Sequence, residues 1–198
     1  MENLAKDYNF KNATWSDLKE ISKIEQEFFG GYSKAFNEEF IKSWYKHNPN
    51  MFFVVKNGQD KVVAFSILTP ISEKLYDKLV KGEVGDLYDF NKSEVPRTMD
   101  SNYYYISDIC ITKEATKSRN VIFALLFGGS INFLLDKANY IMTLPVTKEG
   151  ARLCKKLGFV EVSESLCDNK KYPICELQTN NENIKKFARF AKVLHKKG

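Results

Sequence analysis

Two apolar runs, MFFVVK (51–56) and KVVAFSIL (61–68), stand on either side of the polar quartet Asn57-Gly58-Gln59-Asp60. Apolar runs of strand length flanking an Asn-Gly pair predict a β-hairpin. Upstream, YNFKNA reads as a short strand, followed by WSDLKEISKIEQEFF, where Leu18, Ile21, Ile24, Glu25 and Phe28 recur at helical spacing. Thr14 with Asp17 three residues on has the form of a capping box, and Gly30-Gly31 ends this helix. SKAFNEEFIKSWYKH predicts a second helix, closed by Asn48-Pro49. Further on, YYYISDICIT (103–112) is a strand rich in aromatic and β-branched residues. RNVIFALLFGGSINFLLDKA (119–138) is a long buried helix interrupted at Gly128-Gly129, and NYIMTLP is a strand closed by Pro145. TKEGARLCKKLGF makes a short helix ending at Gly158, and FVEVSESL and KYPICELQ flank the polar turn CDNKK as a last hairpin. ENIKKFARFAKVLHKK closes the chain as an amphipathic helix with Ile184, Phe187, Ala191 and Leu194 on one side.

The element order is therefore β, α, α, β-hairpin, loop, β, α, β, α, β-hairpin, α. Only the stretch from Tyr103 to Pro145 forms a βαβ unit, so its two strands are expected to be parallel neighbours. The other strands connect as hairpins. The expected fold is α/β of the α+β type, a mixed, mostly antiparallel sheet of about seven strands with helices on both faces. One domain is expected over residues 1–178, followed by the basic helix at 179–198. SEKLYDKLVKGEVGDLYDFNKSEVPRTMD (72–100) holds one short helix and a long polar loop, the kind of segment that often carries function.

Charge and cysteine usage narrow the function. The chain has 198 residues and a net charge of +5, much of it in the tail. A charge run is most often a solvated face, so nucleic acid is the least favoured partner. The four cysteines, Cys110, Cys154, Cys167 and Cys175, contain no CxxC pair, and only His47 and His195 could join them as ligands. No metal site is expected, and reduced thiols fit a cytoplasmic protein. No apolar run reaches the ~18 residues of a membrane span, so no membrane partner is expected.

Two segments carry a family resemblance. ARLCKKLGF resembles the A-x-x-L-Y-x-K-x-G-F ending of the GCN5-related N-acetyltransferase (GNAT) family, with Cys154 where tyrosine usually stands. The strand, loop and helix around 105–126 occupy the place of that family's acetyl-CoA motif, R/Q-x-x-G-x-G/A. Laid on this chain, the pattern falls on Lys117, Ser118, Arg119, Asn120, Val121 and Ile122, so both small positions are lost. The resemblance spans roughly residues 5–178. It implies acetyl-CoA as acyl donor, with its pyrophosphate on backbone N–H groups at the helix start. Such donors do not depend on side-chain identity. Asn120 tolerates left-handed geometry better than other non-glycine residues, whereas Ile122 fills a position where the family keeps room. Lys117 and Arg119 could add charge-assisted contacts.

The resemblance also implies direct transfer of the acetyl group to a small-molecule or peptide primary amine in a ternary complex. It places Asp108 near that amine, taking a proton through water or holding a cationic substrate; a purely structural role as hydrogen-bond acceptor is the other reading. Strict alternation puts Tyr105, Ser107, Ile109 and Ile111 on one face and Asp108 with Cys110 on the other, unless a bulge swaps them. The oxyanion donors would be the N–H groups of Cys110, Ile111 and Thr112. Cys154 would replace the phenolic general acid with a thiol, or simply pack as a small buried residue. Tyr103, Tyr104 and Tyr105 are nearby phenols. Glu83, Asp86, Asp89 and Glu94 of the loop could attract a basic acceptor. The rival expectation is a catalytically inactive GNAT-fold module for CoA or protein binding, and a homodimer is left open.

Overall fold

The computed structural model describes residues 7–31, 36–134, 137–167, 169–179 and 182. The expected tail helix and its basic face lie outside these. Among the described residues, seven strands form one sheet: β1 (Tyr8–Asn12), β2 (Phe52–Asn57), β3 (Val62–Ile71), β4 (Tyr103–Ile111), β5 (Tyr140–Thr143), β6 (Val160–Cys167) and β7 (Lys170–Gln178). Their order across the sheet is β1-β2-β3-β4-β5-β7-β6. β4 and β5 are parallel and every other neighbouring pair is antiparallel, as the single βαβ unit requires. The last hairpin folds back so that β7, not β6, pairs with β5. No described helix is long and apolar enough to cross a membrane.

Among the described residues, five α-helices cover the sheet: α1 (Leu18–Phe29), α2 (Glu38–His47), α3 (Glu73–Val80), α4 (Arg119–Leu134) and α5 (Lys148–Leu157). The turn before α1 carries the expected reciprocal cap: the Thr14 N–H and hydroxyl both donate to Asp17 Oδ2, each at 2.8 Å. The other Asp17 oxygen meets Lys56 Nζ of β2 at 2.6 Å, a pair with both side chains buried. α5 ends as its sequence demands, with Gly158 at φ +88° and the Phe159 N–H closing on Cys154 O.

Three local readings change. The first hairpin does not turn on a two-residue Asn-Gly loop. Asp60 takes the left-handed conformation (φ +58°), while the Asn57 side chain accepts from the Gln59 and Lys61 N–H groups. Gly128 and Gly129 do not interrupt α4. Gly129 instead lets the Phe10 ring of β1 lie where a Cβ would come within 2.5 Å of it, so the glycine serves packing. The expected short helix is present as α3, and the long polar loop after it gains two 3₁₀ turns, Leu87–Asp89 and Lys92–Glu94.

The faces of the sheet follow from paired residues. Ser66 of β3 hydrogen-bonds Ser130 of α4, so Ser66 and its β4 partner Ile109 share the α4 face. Phe65 and Ile67 point to the opposite face with Cys110 and Asp108. α1 packs against that second face, contributing Glu25 beside Asp108.

Candidate active site

Two irregularities in β4 shape the functional region. The first is a bulge. Ile67 pairs with Asp108 and Leu68 with Ile106, so Ser107 is left without a partner on β3. The extra residue puts Tyr105 and Asp108 on the same face, which strict alternation would separate. The second is divergence. β4 and β5 pair only from Tyr103–Tyr140 to Ile106–Thr143, and beyond that Leu144 and Pro145 lead β5 away. The Thr112 N–H bonds Val63 O at 2.9 Å, which fixes which β4 amides face β3. Donors alternate along an antiparallel ladder, so those of Cys110 and Thr112 belong to β3 while those of Ile109 and Ile111 point into the gap. Of the three residues expected as oxyanion donors, Ile111 thus faces the gap, accompanied by Ile109, which sequence reasoning did not single out.

The gap opens into a cleft of about 680 Å³ that runs through the sheet. Arg119, Asn120 and Phe123 of α4 and Cys154 of α5 line one side, and Glu25, Phe28 and Phe36 line the other. Ser118, Val121 and Ile122 do not line it, and Ile122 is fully buried in the core. The branched side chain therefore does not plug the cleft.

The backbone at the start of α4 bears on anion binding. Lys113–Ser118 forms a 3₁₀ helix that runs directly into α4, with the Ala115 N–H on Thr112 O and the Arg119 N–H on Thr116 O. In such a helix each N–H is spent on the carbonyl three residues back. The Arg119 amide is thus committed inside the chain, and Asn120 and Val121 follow in the first turn of α4. An anion arriving here would meet the exposed side chains of Lys117, Arg119 and Asn120 at the first turn of α4.

The acidic end of the cleft is chemically the most distinctive. Glu25 is 2% exposed; one oxygen accepts from the Phe36 N–H at 3.3 Å and the other has no hydrogen-bond partner. Burial, reinforced by the Asp86 charge, pushes its carboxyl up to about 7. Asp108 also has a buried oxygen without a partner, and burial with the Glu25 and Asp86 charges holds its carboxyl well above the usual carboxylate range. The Tyr105 hydroxyl donates to Gly85 O at 2.6 Å beside this group. Glu25 stood in the sequence as one charged residue on an otherwise apolar helical face, the one signal that could have marked it.

The other expected residues have other surroundings. The Cys154 thiol donates to Cys175, which raises its pKa well above that of an ordinary thiol. Tyr103 stacks on Tyr140, and the Tyr104 hydroxyl donates to Met99 O, so neither phenol enters the cleft. Of the loop acids, Asp86 lines the cleft, Glu94 is held by Lys74 and Lys78, and Glu83 and Asp89 line a separate shallow depression. Among the described residues no group of His, Cys, Asp and Glu is arranged to hold a metal ion.

No family model matches the sequence. No curated protein matches it either. Solved structures do. The chain superposes on Ard1 from Thermoplasma volcanium with a TM-score of 0.61 at 13% identity, covering 87% of this chain and 97% of that one. It is similar to the loading GNATL domain of CurA from Lyngbya majuscula (TM-score 0.63, 11% identity, 87% and 98% covered). The yncA structure from Salmonella typhimurium, a putative acetyltransferase with its cofactor acetyl-CoA, gives a TM-score of 0.56 at 11% identity, with 89% and 95% covered. Agreement over 87–89% of this chain shows that this protein has the fold of the GCN5-related N-acetyltransferases.

Proposed function

We propose that the protein is an acyl-CoA-dependent N-acyltransferase that acetylates a primary amine by direct transfer. The observation that carries this reading is the cleft through the sheet. It offers main-chain donors from Ile109 and Ile111 on one wall and buried carboxyl groups at the far end. Acyl transfer needs both kinds of group. The amine nitrogen attacks the thioester carbonyl, the C–S bond breaks, and negative charge collects first on oxygen and then on sulfur. Donors aimed at the oxygen stabilise that charge most in a low-dielectric cleft. A lysine-type amine has a pKa of ~10.4 and must shed a proton to attack, which Glu25, the acid of the pair raised only to about 7, would receive once ionised.

The donor molecule fits the cleft unevenly. The gap between β4 and β5 suits an extended thioester arm, and CoA phosphates would rely on Lys117 and Arg119 beside the first turn of α4. Cys154 serves this reading better as a small wall residue than as a proton donor, since a thiol made harder to ionise transfers its proton poorly to a departing thiolate. Titration calorimetry with acetyl-CoA and CoA tests the reading. Saturable heat is expected, and no heat at high micromolar concentrations would remove it.

The loss of both small positions of the acetyl-CoA motif and the absence of a phenol in the place of Cys154 favour a second reading, a GNAT-fold module without catalysis. Amine-dependent release of free thiol from acetyl-CoA would eliminate it.

A further inference from the structure

The acidic end of the cleft has a specific selectivity written into it, beyond a general preference for amines. Glu25, on α1, and Asp108, on β4, approach from two different elements, and each holds a buried oxygen with no hydrogen-bond partner. Burying an ionised carboxylate without a partner is costly, so such a site is completed by whatever brings hydrogen-bond donors and positive charge. Among the described residues that line the cleft, Arg119 is the one Lys or Arg, and it stands at the α4 wall, not among the charges that act on Glu25 or Asp108. The cation is therefore expected from outside the cleft.

The walls beyond the acids set the size and polarity of that cation's body. Phe28 and Phe36 line the cleft on the α1 side, and Phe28 is 38% exposed at its mouth, a large apolar side chain left open to solvent. A second ammonium, as in a polyamine, would come to rest among these rings. No acid is shown on the phenylalanine wall to draw it: Glu94 is held by its two lysines, Glu83 and Asp89 line the other depression, Asp86 acts on Glu25 and Asp108 at the same acidic end, and Glu149 belongs to α5 with Cys154.

We infer that Glu25 and Asp108 form the ammonium subsite for a primary monoamine with a compact apolar body, seated against Phe28 and Phe36. This rests on the acyltransferase reading for its consequence, but the binding itself does not require the acyl donor. The ammonium would donate to the open oxygens of Glu25 and Asp108, and its methylene or aryl body would displace water from the phenylalanine wall.

The experiment is calorimetric titration of the full chain with 2-phenylethylamine, its neutral analogue 2-phenylethanol, and 1,4-diaminobutane, each with and without CoA present. Saturable binding of 2-phenylethylamine is expected, at least tenfold tighter than either comparison compound. Glu25→Gln and Asp108→Asn are each expected to weaken it tenfold or more. Phe28→Ala, at the exposed mouth, is expected to weaken 2-phenylethylamine several-fold while leaving methylamine unchanged. That variant keeps the test decisive should a carboxamide variant fail to fold. Absence of amine binding in both conditions, equal binding of the alcohol, tighter binding of the diamine, or indifference to Glu25→Gln would overturn the inference. Binding of CoA in the same titrations separates this failure from failure of the acyltransferase reading.

Discussion

Replacing Glu25 by glutamine should change how stability depends on pH, in a direction fixed by the site's geometry. The Glu25 carboxyl is 2% exposed and titrates at about 7 in the folded chain, against an ordinary value of 4.5. The folded state therefore holds this proton more tightly than the unfolded chain does. Below the unfolded value both states are protonated and the group is neutral to stability. As pH rises from there through 7, the unfolded chain gives up its proton first, and folding becomes progressively less favourable. A shift from 4.5 to about 7, at ~1.36 kcal/mol per unit, sets the full loss at about 3 kcal/mol, most of it between pH 5 and pH 8. Glutamine keeps an oxygen for the Phe36 N–H but has no proton to lose. Its buried amide N–H groups gain no sure acceptor, so the variant is expected to be about 1–2 kcal/mol less stable than wild type at pH 5. That deficit should shrink, or reverse, by pH 8. Urea denaturation at pH 5, 6, 7 and 8, with a shared m-value, reads this directly. A wild-type-minus-variant difference that is the same at pH 5 and pH 8 would show that Glu25 is not held in a desolvated acidic cluster.

Four other variants test particular contacts. Lys56→Ala strands the buried Asp17 carboxylate and should cost about 3–5 kcal/mol in chemical denaturation, whereas loss of an exposed pair such as Lys61–Glu114 should cost under ~1 kcal/mol. Gly129→Ala should cost about 1–3 kcal/mol by driving Phe10 off its stack on Phe53, read as a lower unfolding midpoint with helix content retained. Arg119→Glu should weaken acetyl-CoA tenfold or more in calorimetry, while Cys154→Ala should lower the transfer rate less than ~10-fold, short of the 10²–10⁴-fold that loss of a general acid brings.

Most of the architecture was legible in the sequence because it rests on local periodicity. The helical recurrence of Leu18, Ile21, Ile24 and Phe28, the apolar runs around 51–68 and Gly158 at a helix end each specify their element from neighbouring residues alone. The order of β7 and β6 was not legible, since both are equally alternating strands and only tertiary pairing decides which meets β5. Asp108 could be singled out as a residue type in a strand, but its surroundings could not. The Ser107 bulge that turns it toward Tyr105 has no periodic signature, and its neighbour Glu25 comes from a distant helix. The turn at Lys113–Ser118 illustrates the opposite difficulty. A family pattern aligned by position implied a phosphate-binding turn, yet Lys113–Ser118 has no glycine and runs as a 3₁₀ helix straight into α4, which no local periodicity announced.

The most direct measurement is continuous detection of free thiol as the protein is mixed with acetyl-CoA and a panel of primary amines that includes 2-phenylethylamine. Thiol release is expected that needs both the amine and the protein, saturates in each, and falls sharply in Asp108→Asn. Release no faster than solvent hydrolysis with every amine, in a preparation shown by calorimetry to bind acetyl-CoA, would contradict it.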